Sequence, residues 1–133
     1  MNIEVNNPIQ LELPGVYKII NIVNKKYYIG STKQAIRIRM NHHLQALRNN
    51  NHKNTHLQHA WNKYGEENFK FVVIENCEKN VVYDREQFYL DLRDLNLAYN
   101  INPKATGLTN NPDTLERLRI QRIQFQKDVS DYY

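Results

Sequence analysis

Arg39 and His43 stand four residues apart in a stretch whose apolar positions, Ile36, Met40, Leu44 and Leu47, recur at helical spacing. A guanidinium and an imidazole therefore share one stripe of a helix over residues 35–47. That pair suits a phosphate: the planar fork of arginine engages non-bridging oxygens, and a histidine one turn on adds a hydrogen bond or moves a proton. The charge around the pair points the same way. Residues 13–65 hold nine basic side chains (Lys18, Lys25, Lys26, Lys33, Arg37, Arg39, Arg48, Lys53 and Lys63), all five histidines, and no Asp or Glu. Residues 66–102 carry eight acidic side chains against four basic ones, so the formal charge of +4 over 133 residues conceals two halves of opposite sign. Lys and Arg facing a polyanion release its condensed counterions, whereas a carboxylate among them repels it. The acid-free half reads as a phosphate-facing surface; the bland alternative is a solvated face whose missing carboxylates are chance.

Other residue types narrow the chemistry. His52, His56 and His59 have spacings of four and three and could line one helical face as zinc ligands, but no Cys or carboxylate lies among them to complete a site. Bound phosphate is the better use for them. The lone Cys77 cannot close an internal disulfide or supply a paired-thiolate zinc site, which argues against redox and zinc-finger classes. The longest apolar runs are four residues, such as 71–74, too short to span a bilayer. Residues 1–14 carry Glu4 and Glu12 and no basic side chain, unlike a signal or transit peptide, so the expected location is intracellular. The 19 Asn, 12 Ile and nine Tyr are typical of AT-rich coding sequence and hint at a phage, viral or organellar source.

The elements that must position these groups follow from local patterns. Residues 16–23 are β-branched and aromatic, 24–26 are turn-like, and 27–29 resume the strand, which predicts an antiparallel hairpin ended by Gly30. After the 35–47 helix, Asn49, Asn50 and Asn51 break the pattern. A second helix fits 55–64, with Gly65 as its C-terminal cap, and 69–74 a third strand. Asn80 is placed to cap a helix running to about residue 95 with Val81, Val82, Phe88, Leu92 and Leu95 as its apolar face. Beyond Asn100 the pattern weakens to a loop and a charged helix over 113–127.

Taken in order, Gly15, Val16 and Tyr17, then Tyr28, Ile29 and Gly30, Arg39, His43, Glu86, and Tyr99 with Asn100 resemble the GIY-YIG nuclease family. The resemblance extends through His52, Leu57 and Gln58, Ala60 and Trp61, Lys63 to Gly65, and Phe69 to Phe71, a middle segment similar to that of phage and organellar intron-associated members. Arg85, Glu86, Gln87, Phe88 and Tyr89 resemble the helix that bears the family's metal-binding glutamate. Departures are small: Val16 stands for the Ile of the motif, Arg37 lies close enough to compete with Arg39, and His42 adjoins His43, whose spacing from Arg39 favours it.

The resemblance implies an α+β domain over residues 14–103, a three-stranded antiparallel sheet flanked by helices, that hydrolyses DNA phosphodiester bonds. It implies Tyr17 as general base or water-orienting group beside Tyr28, Arg39 and His43 on the phosphate, Glu86 holding one Mg²⁺ or Mn²⁺, and Asn100 orienting Glu86 or a substrate group. A phenol titrating near about 10 is a poor base at neutral pH unless cations lower it, and the acid-free stretch supplies them. Without the family, both tyrosines read as ordinary strand residues, Arg39 as a solvated helix residue and Glu86 as a helix carboxylate. Lys26, Lys33, Arg37, His52 and Lys53 are the expected DNA contacts. Residues 104–133 form a tail resembling the start of a DNA-binding extension, and its shortness argues against a self-contained site-specific homing enzyme. The partner is DNA, with no membrane, and the chain acts as a monomer or a substrate-induced dimer. Alternatives are a catalytically silent nucleic-acid-binding domain and a restriction or structure-specific repair nuclease.

Overall fold

Residues 1–101 are described by a computed structural model of the chain. Their elements run β1 (Asn2–Glu4), β2 (Gly15–Asn21), β3 (Tyr27–Thr32), α1 (Ile36–Arg48), α2 (Thr55–Tyr64), β4 (Phe69–Asn76) and α3 (Val82–Asp91), with 3₁₀ turns at Pro8–Glu12, Glu66–Asn68 and Lys79–Val81. The expected tail helix lies outside the described residues. No helix among them is long and apolar enough to cross a membrane.

The sheet has four strands rather than three, in the order β1-β4-β2-β3. β3, β2 and β4 are antiparallel, as the hairpin pattern requires, and β1 adds to β4 in parallel with Ile3 opposite Phe71. Three exposed residues have no periodicity to display, so β1 is invisible until β4 offers it an edge. Alternation along β2 sends Tyr17, Ile19 and Asn21 to one face. There they meet Ile36, Met40 and Leu47 of α1, Leu57 and Trp61 of α2, and Phe69 and Phe71 of β4. On the other face Val16 and Ile29 pack against Leu90 of α3, so both faces are covered.

Gly30 does not end the hairpin: β3 continues to Thr32, and Gly30 pairs with Tyr17. The turn between β2 and β3 places Lys25 at φ 67°. α2 has the expected bounds, because Asn54 Oδ1 accepts from Leu57 N at 3.0 Å at its start and Gly65, at φ 87°, stops it. α3 departs most from expectation. Its start is a 3₁₀ turn without a side-chain cap, and it ends at Asp91. Leu92 and Leu95 are exposed and Val81 nearly so, leaving only Val82 and Phe88 of the expected apolar face inside. The chain turns at Asp94 and returns along the open side of β3, where Tyr27 N donates to Leu97 O at 2.8 Å and Tyr99 N to Tyr27 O at 2.7 Å. That return covers an otherwise unpaired sheet edge, a pairing no local pattern announces.

Candidate active site

A cleft of about 730 Å³ opens where β3, α1, the 49–54 loop and α3 meet. Tyr17, Tyr28, Arg39, His43, Glu86 and Asn100 all line it, together with Lys33, His52 and Lys53, and among the described residues Glu86 is the only carboxylate on its walls. Two expected DNA contacts lie elsewhere. Arg37 is on the exposed side of α1, held by Glu12 through bonds of 2.8 and 3.3 Å. Lys26 lines a second cleft of about 470 Å³ with His56, His59 and Lys63. The three-histidine zinc arrangement therefore does not form, and no group of three potential ligands sits together among the described residues.

Tyr17 reaches the cleft from the buried centre of β2, its ring stacked on Phe71 at 4.8 Å. The ring crosses β3 directly over Gly30, where a Cβ would fall 2.5–2.7 Å from its outer atoms. The Tyr17 oxygen ends 2.5 Å from His43 Nε2, and His43 Nδ1 lies 2.7 Å from His52 Nε2. His43 is buried on α1, and Tyr28 meets both imidazoles edge-on. Burial drives the Tyr17 phenol well above its usual range, Tyr28 adds to that, and the Arg39 guanidinium facing it pulls the other way. Burial, with Arg39 and His52 adding to it, holds His43 well below the usual imidazole range, so the ring is neutral.

Glu86 projects from α3 to the same cleft. Its Oε1 accepts from Ser31 Oγ at 3.0 Å, across the strand edge from Gly30. Burial raises its pKa, against the hydrogen bond from Ser31 and the charge of Arg39. Its donor set fits a hard divalent cation: one carboxylate, with room in an open cleft for waters and substrate oxygens to complete six positions.

Asn100 makes its side-chain hydrogen bonds to Ile29 and none to Glu86. Its side-chain amide accepts from Ile29 N at 2.8 Å and donates to Ile29 O at 2.9 Å, extending the Leu97–Tyr99 pairing as a peptide group would. His52 is half-buried against His43, with ring centroids 5.0 Å apart, instead of reaching out as a loop contact. Three residues to which the sequence reading assigned no role complete the site. Ser31 fixes Glu86. Gln58 is buried, accepts from His52 N at 3.0 Å and donates to Leu47 O at 3.0 Å, pinning the loop that carries His52. Asn54 N donates to His52 Nδ1 at 3.0 Å. A polar Gln58 on the buried face of an otherwise amphipathic helix is the one signal that could have flagged this group.

Two phenols, a neutral imidazole, a guanidinium and one carboxylate around an acid-poor cleft can orient water, neutralise a phosphate and hold a cation. The sequence profile of the GIY-YIG catalytic domain matches residues 13–100. "Probable intron-encoded endonuclease 1" of Neurospora crassa is 31% identical over 125 residues, which is 89% of this chain and 39% of that protein. "Intron-associated endonuclease 1" of Enterobacteria phage T4 is 33% identical over 98 residues, 71% of this chain and again 39% of the relative. The chain thus spans about two fifths of the length of these curated relatives. The solved catalytic domain of the homing endonuclease I-TevI superposes with a TM-score of 0.60 at 30% identity, covering 67% of this chain and 98% of that domain. A variant of the same domain superposes at 0.63 with the same identity, covering 71% of this chain and 99% of that domain. With the profile match, the relatives, the superposed domain and the cleft in agreement, the chain belongs to the GIY-YIG catalytic-domain family.

Proposed function

We propose that this chain is a divalent-metal-dependent DNA endonuclease domain of the homing type. The observation that carries the reading is the Tyr17–His43 contact meeting, in one cleft with Arg39, Lys33 and Lys53, the carboxylate of Glu86, the only one lining it among the described residues. The Tyr17 oxygen, aimed by Gly30 and His43, orients the attacking water. Arg39 neutralises the non-bridging oxygens as charge builds on them, which a guanidinium fork does better than an ammonium. A cation held by Glu86, Mg²⁺ or Mn²⁺, would supply positive charge at the leaving 3′ oxygen when bound. The products are a 5′ phosphate and a 3′ hydroxyl. Lys33 and Lys53 flank this cleft, and Lys26 lies beyond it on the second, so duplex DNA extends across both. One cleft with one carboxylate cuts one strand at a time, so a double-strand break takes a second copy assembled on the substrate or a second engagement by the monomer.

The test is nicking of supercoiled plasmid with and without Mg²⁺. Wild type nicks only with the metal; Glu86→Gln binds the same DNA in a gel-shift assay within about twofold and loses at least about a hundredfold in nicking. Absence of nicking by wild type at high protein concentration makes the chain a binding domain, and retained nicking by Glu86→Gln removes Glu86 from the metal site. Sequencing of cut ends from a random DNA library separates a homing preference from restriction or structure-specific cutting.

A further inference from the structure

We propose that the backbone N–H of Asn54 sets the direction of a hydrogen-bond chain through His52 and His43, holding His43 as an N–H donor to Tyr17 and turning the Tyr17 hydroxyl proton to the cleft. The functional meaning of this direction rests on the nuclease reading above; the hydrogen-bond assignment does not.

The argument starts at the one partner whose role cannot change. A peptide N–H only donates, and Asn54 N lies 3.0 Å from His52 Nδ1. In a neutral imidazole one nitrogen donates and the other accepts. His52 Nδ1 is therefore the acceptor, and its proton sits on Nε2. That Nε2–H donates to His43 Nδ1 at 2.7 Å, so His43 in turn carries its proton on Nε2, 2.5 Å from the Tyr17 oxygen. Reversing the chain would put an Nδ1–H of His52 against the N–H of Asn54, two donors facing each other with no acceptor between them. Doubly protonated His52 meets the same clash, and burial also disfavours its charge.

The amide at the head of the chain has little freedom to turn. Asn54 Oδ1 accepts from Leu57 N at 3.0 Å, its Nδ2 donates to Tyr99 O at 3.0 Å, and its carbonyl accepts from Gln58 N at 3.0 Å. His52 is held at its own backbone by Gln58 Oε1. Start of α2, end of α1 and the return along β3 thus converge on one N–H. His43 donates to the Tyr17 oxygen, and the Arg39 guanidinium is near enough for its charge to act on the phenol. Its own proton then has no acceptor in the wall behind it and points toward the space a water or phosphate oxygen occupies. It follows that His43 does not take the Tyr17 proton: the hydroxyl keeps it and donates it into the cleft, where it orients the water or phosphate oxygen. His52 and Asn54 are positioning residues that act through His43.

The experiment is a long-range ¹H–¹⁵N correlation spectrum of the full chain with ¹⁵N-labelled histidine, at neutral pH and without DNA. His43 and His52 are both expected with a protonated Nε2 and a bare Nδ1. A protonated Nδ1 on either ring overturns the proposal. Two variants add a functional readout. His52→Gln leaves an N–H within reach of His43 Nδ1, so His43 keeps its tautomer and nicking falls less than about tenfold. His52→Phe removes that donor, so His43 shows mixed tautomers and nicking falls about a hundredfold at unchanged DNA affinity. Unmixed His43 tautomers in His52→Phe also overturn it. Wild type showing the expected tautomers without nicking any DNA would sink the nuclease reading while upholding the hydrogen-bond direction.

Discussion

Gly30 matters for what it lacks. Its backbone is ordinary extended strand, so conformational freedom is not the reason for glycine. The reason is the Tyr17 ring, which lies where a side chain on β3 would begin: a Cβ there would sit 2.5 Å from the phenol oxygen and 2.6 Å from Cζ. Tyr17 cannot yield by moving inward, because Phe71 is stacked on its other side. Gly30→Ala therefore has to swing the ring off His43 or part the two strands. The expected outcome is loss of nicking by at least about a hundredfold with a folded protein destabilised by about 1–3 kcal/mol, the usual cost of overpacking. Plasmid nicking and urea unfolding check both; wild-type nicking by this variant would show that Tyr17 need not lie where it does.

At the scale of elements, β3 is the part everything else fixes in place, since it presents Tyr28, Gly30 and Ser31 together. Asn100 closes its outer edge with two side-chain bonds to Ile29. Asn100→Ala leaves the N–H and C=O of the buried Ile29 without those partners, so unfolding in urea should become easier by about 1–3 kcal/mol, with nicking reduced in parallel. Unchanged stability would mean the edge is held by Tyr27 and Tyr99 alone. A second tie joins α1 to the turn before β4: Arg48 binds Glu66 through two bonds of 2.7 Å, and the Met1 ammonium adds a third at 3.3 Å. The Arg48 hydrogen bonds, foremost, hold the Glu66 carboxyl at about 2, below its ordinary 4.5. A lowered carboxyl stabilises the fold above its unfolded value and loses that contribution as pH falls through the folded one. Glu66→Gln should thus lower the melting temperature slightly at pH 7 and converge with wild type near pH 2; a constant gap across that range would show that the ion pair adds nothing. The elements legible in the sequence are those with local signals: the hairpin from β-branched alternation, α2 from its helical spacing and Gly65, α1 from its four-residue stripe. β1, the end of α3 and the Leu97–Asn100 return depend on strand edges supplied from far along the chain, and no window of sequence contains them. The same division runs through the site. Tyr17, Tyr28, Arg39, His43 and Glu86 could be grouped by resemblance, whereas the bonds of Asn100 to Ile29, of Ser31 to Glu86 and of Asn54 to His52 exist only after folding.

Across the whole molecule, folding sorts the cations that the sequence could only count. The carboxylates Glu4, Glu12, Glu66 and Glu75 pair with Lys70, Arg37, Arg48 and Arg85, all away from the main cleft. Lys26, Lys33, Arg39, Lys53 and Lys63 make no ion pair among the described residues, and each lines one of the two clefts. Ile101 borders both clefts, so the two adjoin, and among the described residues Glu86 is the only carboxylate lining this surface. Arg37 belongs to the basic run in sequence but is paired with Glu12, so charge density along the chain overstates the binding surface there. If DNA phosphates follow that surface, each lysine that meets one contributes about 0.9 to the slope of log affinity against log salt. The Lys26→Ala, Lys63→Ala double variant should lose close to two contacts, lowering the slope by about 1.8 and weakening binding at low salt, while the rate at saturating DNA stays near wild type because neither side chain touches the reacting phosphate. Arg37→Ala should leave the slope unchanged and the stability close to wild type, as expected of an exposed pair. Fluorescence anisotropy with a labelled duplex over a series of salt concentrations measures both slopes. A double variant with the wild-type slope would confine DNA to the cleft around Glu86, and a shallower slope in Arg37→Ala would mean that Glu12 gives up its partner when DNA binds.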